Sequence, residues 1–452
     1  MSEASPPPNS TSRGWRPSLN LRQGEGGLVL LGMLYHFCLL ACNYILRPVR
    51  DEIGSAYREG LAEAWTWVFF VMLPAAPLYA FLVSRWPRRV FIPLVNSFFL
   101  LCLIGFAWLL EWLPEDSRQP LEWTFYVWHA VFNMFIITGF WGFMVDLFHH
   151  EQSKRLFGLL FMGGSLGGIA GPLLAGRLVE PFGRTGLMVV AMVFLVGATC
   201  TMLAMDRTAL CSRRLHSYED QKAQGRQAPG GGVWQGLAVV FRSPYLLGIC
   251  GYLFLHSLHS TFLYFTKANI AREAFVDRAA RTEFYANVDL LTNALTLLAQ
   301  MFLTAKVLKK IGVGWTLVLL PLLSLIGFAA LGTWTTLAVL VSFEVLRRAT
   351  HYGLSKPARE VLFTVVSREQ KYKAKAFIDT VVYRGSDVTS ARLFEGLQAG
   401  FGFAPLALGL QGIAYCAVPL AALWALLAAN LGKQQVRRQE RLAESGIAKP
   451  QS

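Results

Sequence analysis

Runs of about 20 apolar residues recur from one end of the chain to the other, with short polar stretches between them. A helix of that length crosses the roughly 30 Å of hydrocarbon in a bilayer, whereas barrel strands would be about 10 residues long and would alternate in polarity. The pattern therefore predicts an all-α polytopic membrane protein with about 12 transmembrane helices. We expect spans 1 to 6 near residues 27–47, 64–84, 90–112, 122–148, 156–178 and 186–205, and spans 7 to 12 near residues 245–267, 283–305, 314–333, 336–363, 374–400 and 404–431.

A polar stretch at residues 207–234, which contains three consecutive glycines, separates spans 6 and 7 and is typical of a flexible linker. We expect this linker to be cytoplasmic. It divides the chain into an N-terminal six-helix half at residues 27–206 and a C-terminal six-helix half at residues 235–431. Residues 1–26 are predicted to be a disordered cytoplasmic tail, and residues 432–452 a basic cytoplasmic tail.

Short segments of the first half recur in the second half at nearly one offset of about 220 residues, each at the same place in the order of spans. The matching pairs are Tyr44–Arg47 with Tyr264–Lys267, Leu82–Arg89 with Leu303–Lys310, and Glu151–Lys154 with Glu369–Lys371. Two parallel repeats of six helices build the major facilitator fold, in which the substrate binds between the halves near the middle of the membrane. We therefore expect that fold.

Composition and charge agree with a protein whose main partner is the lipid bilayer. Charged residues make up 15% of the chain, whereas a soluble domain needs about 25% to cover its surface. The net charge of +14 arises mainly in the tails and in the loops that follow even-numbered spans. By the positive-inside rule, this predicts a multi-pass protein of the bacterial inner membrane with both termini in the cytoplasm. The basic excess then gives no reason to expect a nucleic-acid partner.

Span 5 carries a series of glycines, Gly163, Gly164, Gly167, Gly168 and Gly171, followed by proline. Small residues at helical spacing allow another helix to approach closely. The series also resembles the Gly-Pro motif in span 5 of major facilitator antiporters. Tight packing and an antiporter motif are both consistent with it.

Charged residues inside the spans indicate where a substrate binds, because a charge in hydrocarbon is costly and usually faces a cavity or a partner. Five basic residues lie in spans that line the cavity of this fold or next to it: Arg47, Arg50, Lys267, Arg347 and Arg384. Guanidinium groups hold phosphate or carboxylate in a bidentate geometry. The five residues are therefore predicted to bind a small anionic substrate.

A structural interpretation of the same residues is the alternative. Glu344 can pair with Arg347 or Arg348 within span 10, because residues three and four apart share a helix face. Arg47 and Lys267 can extend to the membrane interface and keep their charges in water. The recurrence of a basic residue at these two repeat-related positions favours a binding role for both.

Three side chains are candidates for proton coupling, namely Asp387 in span 11, Asp146 near the end of span 4, and His129 within span 4. A packing role is an equal alternative for His129. The sequence has no phosphate-binding loop for nucleotide hydrolysis and no histidine at metal-ligand spacing from carboxylates or thiolates. We therefore expect no enzymatic activity, no cofactor and no metal ion, and a transport process driven by exchange or by an ion gradient.

Several segments resemble motifs of the ATP:ADP antiporter family of plastids and intracellular bacteria, a branch near the major facilitators. They lie in span 1, in spans 4 and 5, at the start of span 7 and in spans 10 and 11: Asn43–Asp51, Phe140–Phe143 with Glu151–Phe157, Arg242–Tyr245, Tyr352–Glu360 and Lys375–Asp379. The resemblance places Arg50 at the position of a functional lysine of the family. It implies secondary exchange of nucleotides.

Three positions depart from the pattern of that family. The chain has His129 in a segment of span 4 where the family has an acidic residue, and Tyr264 in span 7 where the family has glutamate. In span 11 it has Asp387 in place of lysine, with Arg384 one turn earlier. The resemblance thus implies a secondary active transporter of an anionic, phosphorylated metabolite such as ATP or ADP. A proton-coupled major facilitator exporter of another solute is an alternative, as is a membrane sensor or assembly protein that does not transport.

Overall fold

The computed structural model describes residues 25–148, 150–215, 239–367, 374–375, 377–402 and 405–444. Spans 1 to 6 are formed by the helices Glu25–Ala56, Leu61–Arg85, Arg88–Trp112, Gln119–Leu147 and His150–Leu215, of which the last contains both span 5 and span 6. Spans 7 to 12 are formed by Pro244–Ala274, Arg278–Phe302, Thr304–Thr333, Leu337–Thr350 with Lys356–Leu362, Tyr383–Gly400, and Leu406–Glu444.

Two glycines and two π-helical turns break these helices; the glycines lie between predicted spans, whereas the π-helical turns lie inside predicted spans 10 and 11. Gly183 adopts a φ of 62° where the chain turns from span 5 into span 6, a conformation that glycine reaches without steric cost. Gly312 does the same, with a φ of 77°, ahead of span 9. The π-helical turns His351–Ser355 and Ile378–Val382 interrupt spans 10 and 11. Such turns are rare and often lie at functional sites.

The prediction of about 12 transmembrane helices in a major facilitator fold is confirmed. In the described part of the chain, eight helical stretches are long and apolar enough to cross a membrane, and one of them, Leu156–Thr208, has 53 residues, enough for two crossings. Spans 8, 10 and 11 complete the set. They are less apolar or are shortened by the π-helical turns, and they carry charged residues of the bundle interior.

Helical structure extends into both segments that the sequence assigned to a linker and a tail. Span 6 continues to Leu215 and span 12 continues to Glu444. The predicted N-terminal tail up to residue 24 and the predicted linker from residue 216 onward lie outside the described residues.

The glycines of span 5 pack directly against the backbone of span 1. A Cβ atom on Gly171 would lie 2.7 Å from the carbonyl oxygen of Ala41, and a Cβ on Gly167 would meet the carbonyl of Phe37. No side chain fits into such a contact, so the glycines are required for the approach of the two helices. The packing interpretation of this motif is therefore confirmed.

The two ends of the bundle differ in how the halves meet. We call the end that holds residues 25, 215, 239 and 444 the terminal end, and the opposite end, with Ala56, Gly183, Ala274 and Gly400, the closed end. The buried core of the N-terminal half continues into residues of the C-terminal half that lie towards the closed end, among them Phe262, Phe265, Ala268 and Phe394. Buried residues at the terminal end of the C-terminal half, such as Tyr245, Leu246 and Leu362, form a separate cluster. The shared core therefore joins the halves on the side of the closed end.

Candidate functional site

The charged residues of span 1 lie at the interface between the halves. Asp51 is buried and accepts a hydrogen bond from the hydroxyl of Tyr264 in the other half at 3.0 Å. Arg50 lies 3.5 Å from Asp51 and donates to the hydroxyl of Tyr126 at 3.1 Å. Its guanidinium also covers the ring of Tyr126, 4.4 Å from the centroid. Arg50 is thus held at the interface by its own half.

Arg47 reaches the C-terminal half through Asp289 of span 8. The Arg47 Nε atom lies 3.5 Å from Oδ2 of Asp289, and Arg348 of span 10 donates to Oδ1 of the same carboxylate at 2.7 Å. Asp289 is 2% exposed, so one buried carboxylate holds two arginines, one from each half. The sequence interpretation missed Asp289, although an acidic residue within a span is itself a signal of function.

Lys267 has a partner within the protein. Its ammonium group lies 3.0 Å from Glu344, and the side chain is 2% exposed, so it does not extend to the membrane interface. Glu344 is also 3.7 Å from Arg348, one turn away on span 10, so its predicted internal pairing is confirmed for Arg348. For Lys267 the structure supplies a buried carboxylate where the sequence predicted a substrate anion.

We expect Lys267→Met to lower the stability of the protein more than its substrate affinity. Removing one partner of a buried ion pair typically costs about 3–5 kcal/mol, because the other charge is left buried with too few partners. The double variant Lys267→Met with Glu344→Leu should recover most of the loss in melting temperature. Lys309→Met, at an exposed position of the helix that forms span 9, is the matched control. If Lys267→Met has an unchanged melting temperature but binds ligand weakly, Lys267 contacts the substrate after all and this prediction is wrong.

Arg347 is the basic residue whose surroundings most clearly require an anion. It is 4% exposed, and its Nη2 donates to the hydroxyl of Ser260 at 3.1 Å. Its Nε and Nη1 atoms are buried without an acceptor. Within the described part of the chain, no carboxylate lies within 4.0 Å of its guanidinium. A buried guanidinium in this state is strongly disfavoured unless a ligand supplies the missing charge.

Arg384 and Asp387 of span 11 face span 7 in the interior. Arg384 is 3.8 Å from Asp387, which also accepts a hydrogen bond from Ser257. Asp387 lies close enough to Arg50 of the other half to interact with it electrostatically. The side chains of Arg47, Arg50 and Arg384 are 23%, 20% and 34% exposed. Because they lie at the interface of the halves, this exposure indicates that solvent reaches the interior there.

The three candidates for proton coupling do not lie together. Asp387 lies in the interior, as described above. His129 is buried and forms a hydrogen bond with the backbone of Asn43, which places it in the packing of the N-terminal half. Asp146 is 57% exposed at the terminal end of span 4 and lies 2.8 Å from Arg88. That ion pair joins spans 3 and 4, away from the interface of the halves.

A second group of charges, which the sequence interpretation missed, joins the halves at the closed end. It consists of Glu52, Glu122 and Arg184 of the N-terminal half and Arg278 and Arg281 of the C-terminal half, and we call it the closed-end cluster. Arg278 bridges both carboxylates, with contacts of 2.8 Å to Glu52 and 2.7 Å to Glu122. Arg281 lies 3.0 Å from Glu52, and Arg184 lies 2.6 Å from Glu122. Both carboxylates are fully buried, so the cluster seals this end of the interface.

Membrane-spanning helices in two six-helix halves, with a charged and partly solvated interface between them, define a membrane transporter. A family model described as "Major Facilitator Superfamily" matches residues 28–355. The chain belongs to that superfamily.

The relatives and solved structures to which the chain is similar are also transporters. ADP,ATP carrier protein 1 of Chlamydia muridarum (strain MoPn / Nigg) is 22% identical, over 93% of this chain and 91% of the relative. The protein of the same name from Chlamydia trachomatis serovar D is 22% identical over 81% of each chain. These relatives agree with the family resemblance of the motifs.

Two solved structures share the fold. A bacterial homologue of the human lysosomal transporter Spinster, in an inward-facing and unoccupied conformation, has a TM-score of 0.59 at 13% identity and covers 93% of this chain and 99% of its own. The nucleoside transporter NupG has a TM-score of 0.60 at 12% identity and covers 89% of this chain and 99% of its own.

Proposed function

We propose that this protein is a secondary active transporter that exchanges an anionic, phosphorylated metabolite, such as a nucleotide, across the bacterial inner membrane. The observation that carries the proposal is Arg347. Its guanidinium is buried in the middle of the bundle, and among the described residues two of its N–H groups have no acceptor and no carboxylate forms an ion pair with it. A bound phosphate or carboxylate supplies both the charge and the acceptors that are missing.

The balance of charge in the interior supports an anionic substrate. The cationic side chains described above outnumber the acidic ones: Arg47, Arg50, Lys267, Arg347, Arg348 and Arg384 face Asp51, Asp289, Glu344 and Asp387. Towards the terminal end, span 10 adds Lys356 and Arg359, both at least partly exposed. A solvated space with basic walls concentrates anions and guides them inward. Arg347 lies along this route.

The nucleotide is proposed from the relatives and from the chemistry of arginine. Relatives named ADP,ATP carrier proteins align with most of this chain at 22% identity. Arginine forks bind phosphate groups in two parallel hydrogen bonds, and a nucleoside di- or triphosphate can occupy more than one of them. Among the described residues, Arg50 has one buried nitrogen without an acceptor and Arg347 has two, so both have N–H groups left for this purpose. Arg348 also has one such nitrogen, but it is paired with Asp289.

Orientation follows from the distribution of basic residues. The tails and the loops at the terminal end carry most of the excess lysine and arginine, so we place this end in the cytoplasm. The hydrogen bonds and ion pairs described between the halves lie in the middle of the bundle and at the closed end. The substrate then enters this conformation from the cytoplasm. A reporter fused after Arg438 must be cytoplasmic, and a periplasmic signal from it would reverse the orientation.

Exchange is tested with purified protein in proteoliposomes. Labelled ATP outside should accumulate only when the vesicles contain unlabelled ADP, ATP or another phosphorylated counter-substrate, and no ATP should be hydrolysed. The sequence has no phosphate-binding loop for hydrolysis, so the gradient of the internal anion is the driving force. Uptake that is equal with and without an internal anion would argue against exchange. Stoichiometric hydrolysis by the pure protein would contradict secondary transport altogether.

A further inference from the structure

Two histidines stack on each other beside Arg347, in a part of the interior that the proposed function does not yet use. His256 of span 7 and His351 of span 10 have ring centroids 4.1 Å apart and ring planes at 14°. His256 is 3% exposed, and the Nδ1 atoms of both rings are buried without a hydrogen-bond partner among the described residues. His351 also begins the π-helical turn His351–Ser355. Buried polar atoms without a protein partner are rare and call for a water, an ion or a functional role.

The charged groups that act most strongly on this histidine pair are cations. They are Arg347, Arg348, Lys356 and Arg359, all from span 10. The other elements around the pair contribute His259 of span 7, Tyr383 of span 11 and Trp424 of span 12. On span 11, the carboxylate of Asp387 is engaged with Ser257 and Arg384. With no anion bound, these cations oppose a further positive charge on either imidazole.

An anion bound to Arg347 removes much of this repulsion between the cations and a protonated imidazole. Its charge offsets the cations of span 10 next to the two rings, and its oxygens offer acceptors to a protonated imidazole. The anion therefore makes it easier to add a proton to the pair, and by linkage a proton on the pair makes the anion bind more tightly.

We propose that His256 and His351 form a proton-binding site coupled to the anion on Arg347, so that the transporter takes up an anion and a proton together. This inference rests on the proposed function, because it needs an anion at Arg347. It also assigns the proton to neither Asp387, Asp146 nor His129. Because a proton travels with the anion, the net charge moved across the membrane is one unit less negative than the charge of the anion itself.

The direct test is proton uptake on ligand binding, measured with a pH-indicator dye in weakly buffered, purified protein mixed with ADP. The wild-type protein should take up as much as about one proton per ADP bound, and its affinity for ADP should then fall by up to about tenfold for each unit of rising pH. His256→Phe and His351→Phe keep an aromatic ring in the stack but cannot hold the proton. In both variants we expect ADP still to bind, with little proton uptake and a flatter dependence of affinity on pH.

A matched control is available in the N-terminal half. His36 stacks on Phe140 with the same geometry, 4.1 Å and 14°, but its Nδ1 atom is hydrogen-bonded to the carbonyl of Leu160. His36→Phe should leave proton uptake unchanged. His256→Gln and His351→Gln serve as second variants if a phenylalanine variant does not fold, since glutamine retains a polar group and holds no proton.

The outcomes separate this inference from the proposed function. If wild-type protein binds ADP without taking up a proton, the inference is wrong and the anion site stands. If proton uptake persists in the variants of both histidines, the proton binds elsewhere and the inference is equally wrong. If neither ADP nor inorganic phosphate binds to the wild-type protein, the proposed function fails, and the inference fails with it.

Discussion

Arg347→Gln is expected to weaken the binding of ADP by about 10- to 150-fold, the loss that follows when charge-assisted hydrogen bonds worth about 1.5–3 kcal/mol are removed. In the ligand-free protein the same change should raise the melting temperature, because it removes a buried charge that forms no ion pair with the described residues. Arg347→Lys keeps the charge but not the fork. If the anion is held in a bidentate geometry, the affinity of Arg347→Lys for ADP should therefore lie between that of the wild type and that of Arg347→Gln.

The neighbouring arginine is the control for this prediction. Arg348 is buried like Arg347, but it lies 2.7 Å from Asp289 and 3.7 Å from Glu344. Arg348→Gln should therefore lower the melting temperature, since it leaves those carboxylates with fewer partners. Isothermal titration with ADP and thermal unfolding on the same three variants decide the matter. If Arg347→Gln binds ADP with wild-type affinity, Arg347 does not bind the anion, and the proposed anion site is wrong.

Glu52→Gln is expected to open the closed end. Glu52 is fully buried and holds Arg278 and Arg281 of the other half, and Arg281 is itself fully buried. Removing the carboxylate should cost about 3–5 kcal/mol in this conformation, because Arg281 loses its acidic partner. A conformation in which the halves separate at the closed end does not carry that cost. A shift of about 5.5 kcal/mol is enough to move an equilibrium from 1:99 to 99:1, so much of the population should leave the closed state.

Labelling with a membrane-impermeant maleimide measures this opening. Ser55 is fully buried beside the cluster and donates to the carbonyl of Ala268 in the other half, so Ser55→Cys should react slowly in an otherwise cysteine-free background. Adding Glu52→Gln should speed its labelling severalfold and slow exchange, because one of the two conformations becomes poorly populated. Glu115→Gln is the control at the same end, where the side chain is 88% exposed. Slow labelling of Ser55→Cys in the Glu52→Gln background would show that the cluster does not hold the halves together.

The apolar pattern was sufficient for the architecture, because a membrane span depends on a contiguous run of residues and on the solvent around it. The spans, the two halves and the close packing by the glycines of span 5 could all be predicted in this way. The breaks in spans 10 and 11 could not, since a π-helical turn is stabilised by what the helix contacts in the interior. Of the site, the sequence identified the basic residues of spans 1, 7, 10 and 11, because a charge within an apolar run is visible without a structure.

The roles of those basic residues were decided only by the tertiary structure. The repeat relates Arg47 to Lys267, but the first meets Asp289 from span 8 and the second meets Glu344 from span 10, so equivalent positions have different partners. Arg347 and Arg348 are adjacent in the chain, yet among the described residues only Arg348 forms an ion pair, because successive residues point in directions about 100° apart on a helix. The closed-end cluster gathers residues from four separate parts of the chain. An ion pair depends on the rotation and approach of whole helices, and that information lies in the packing of the spans rather than in any single one of them.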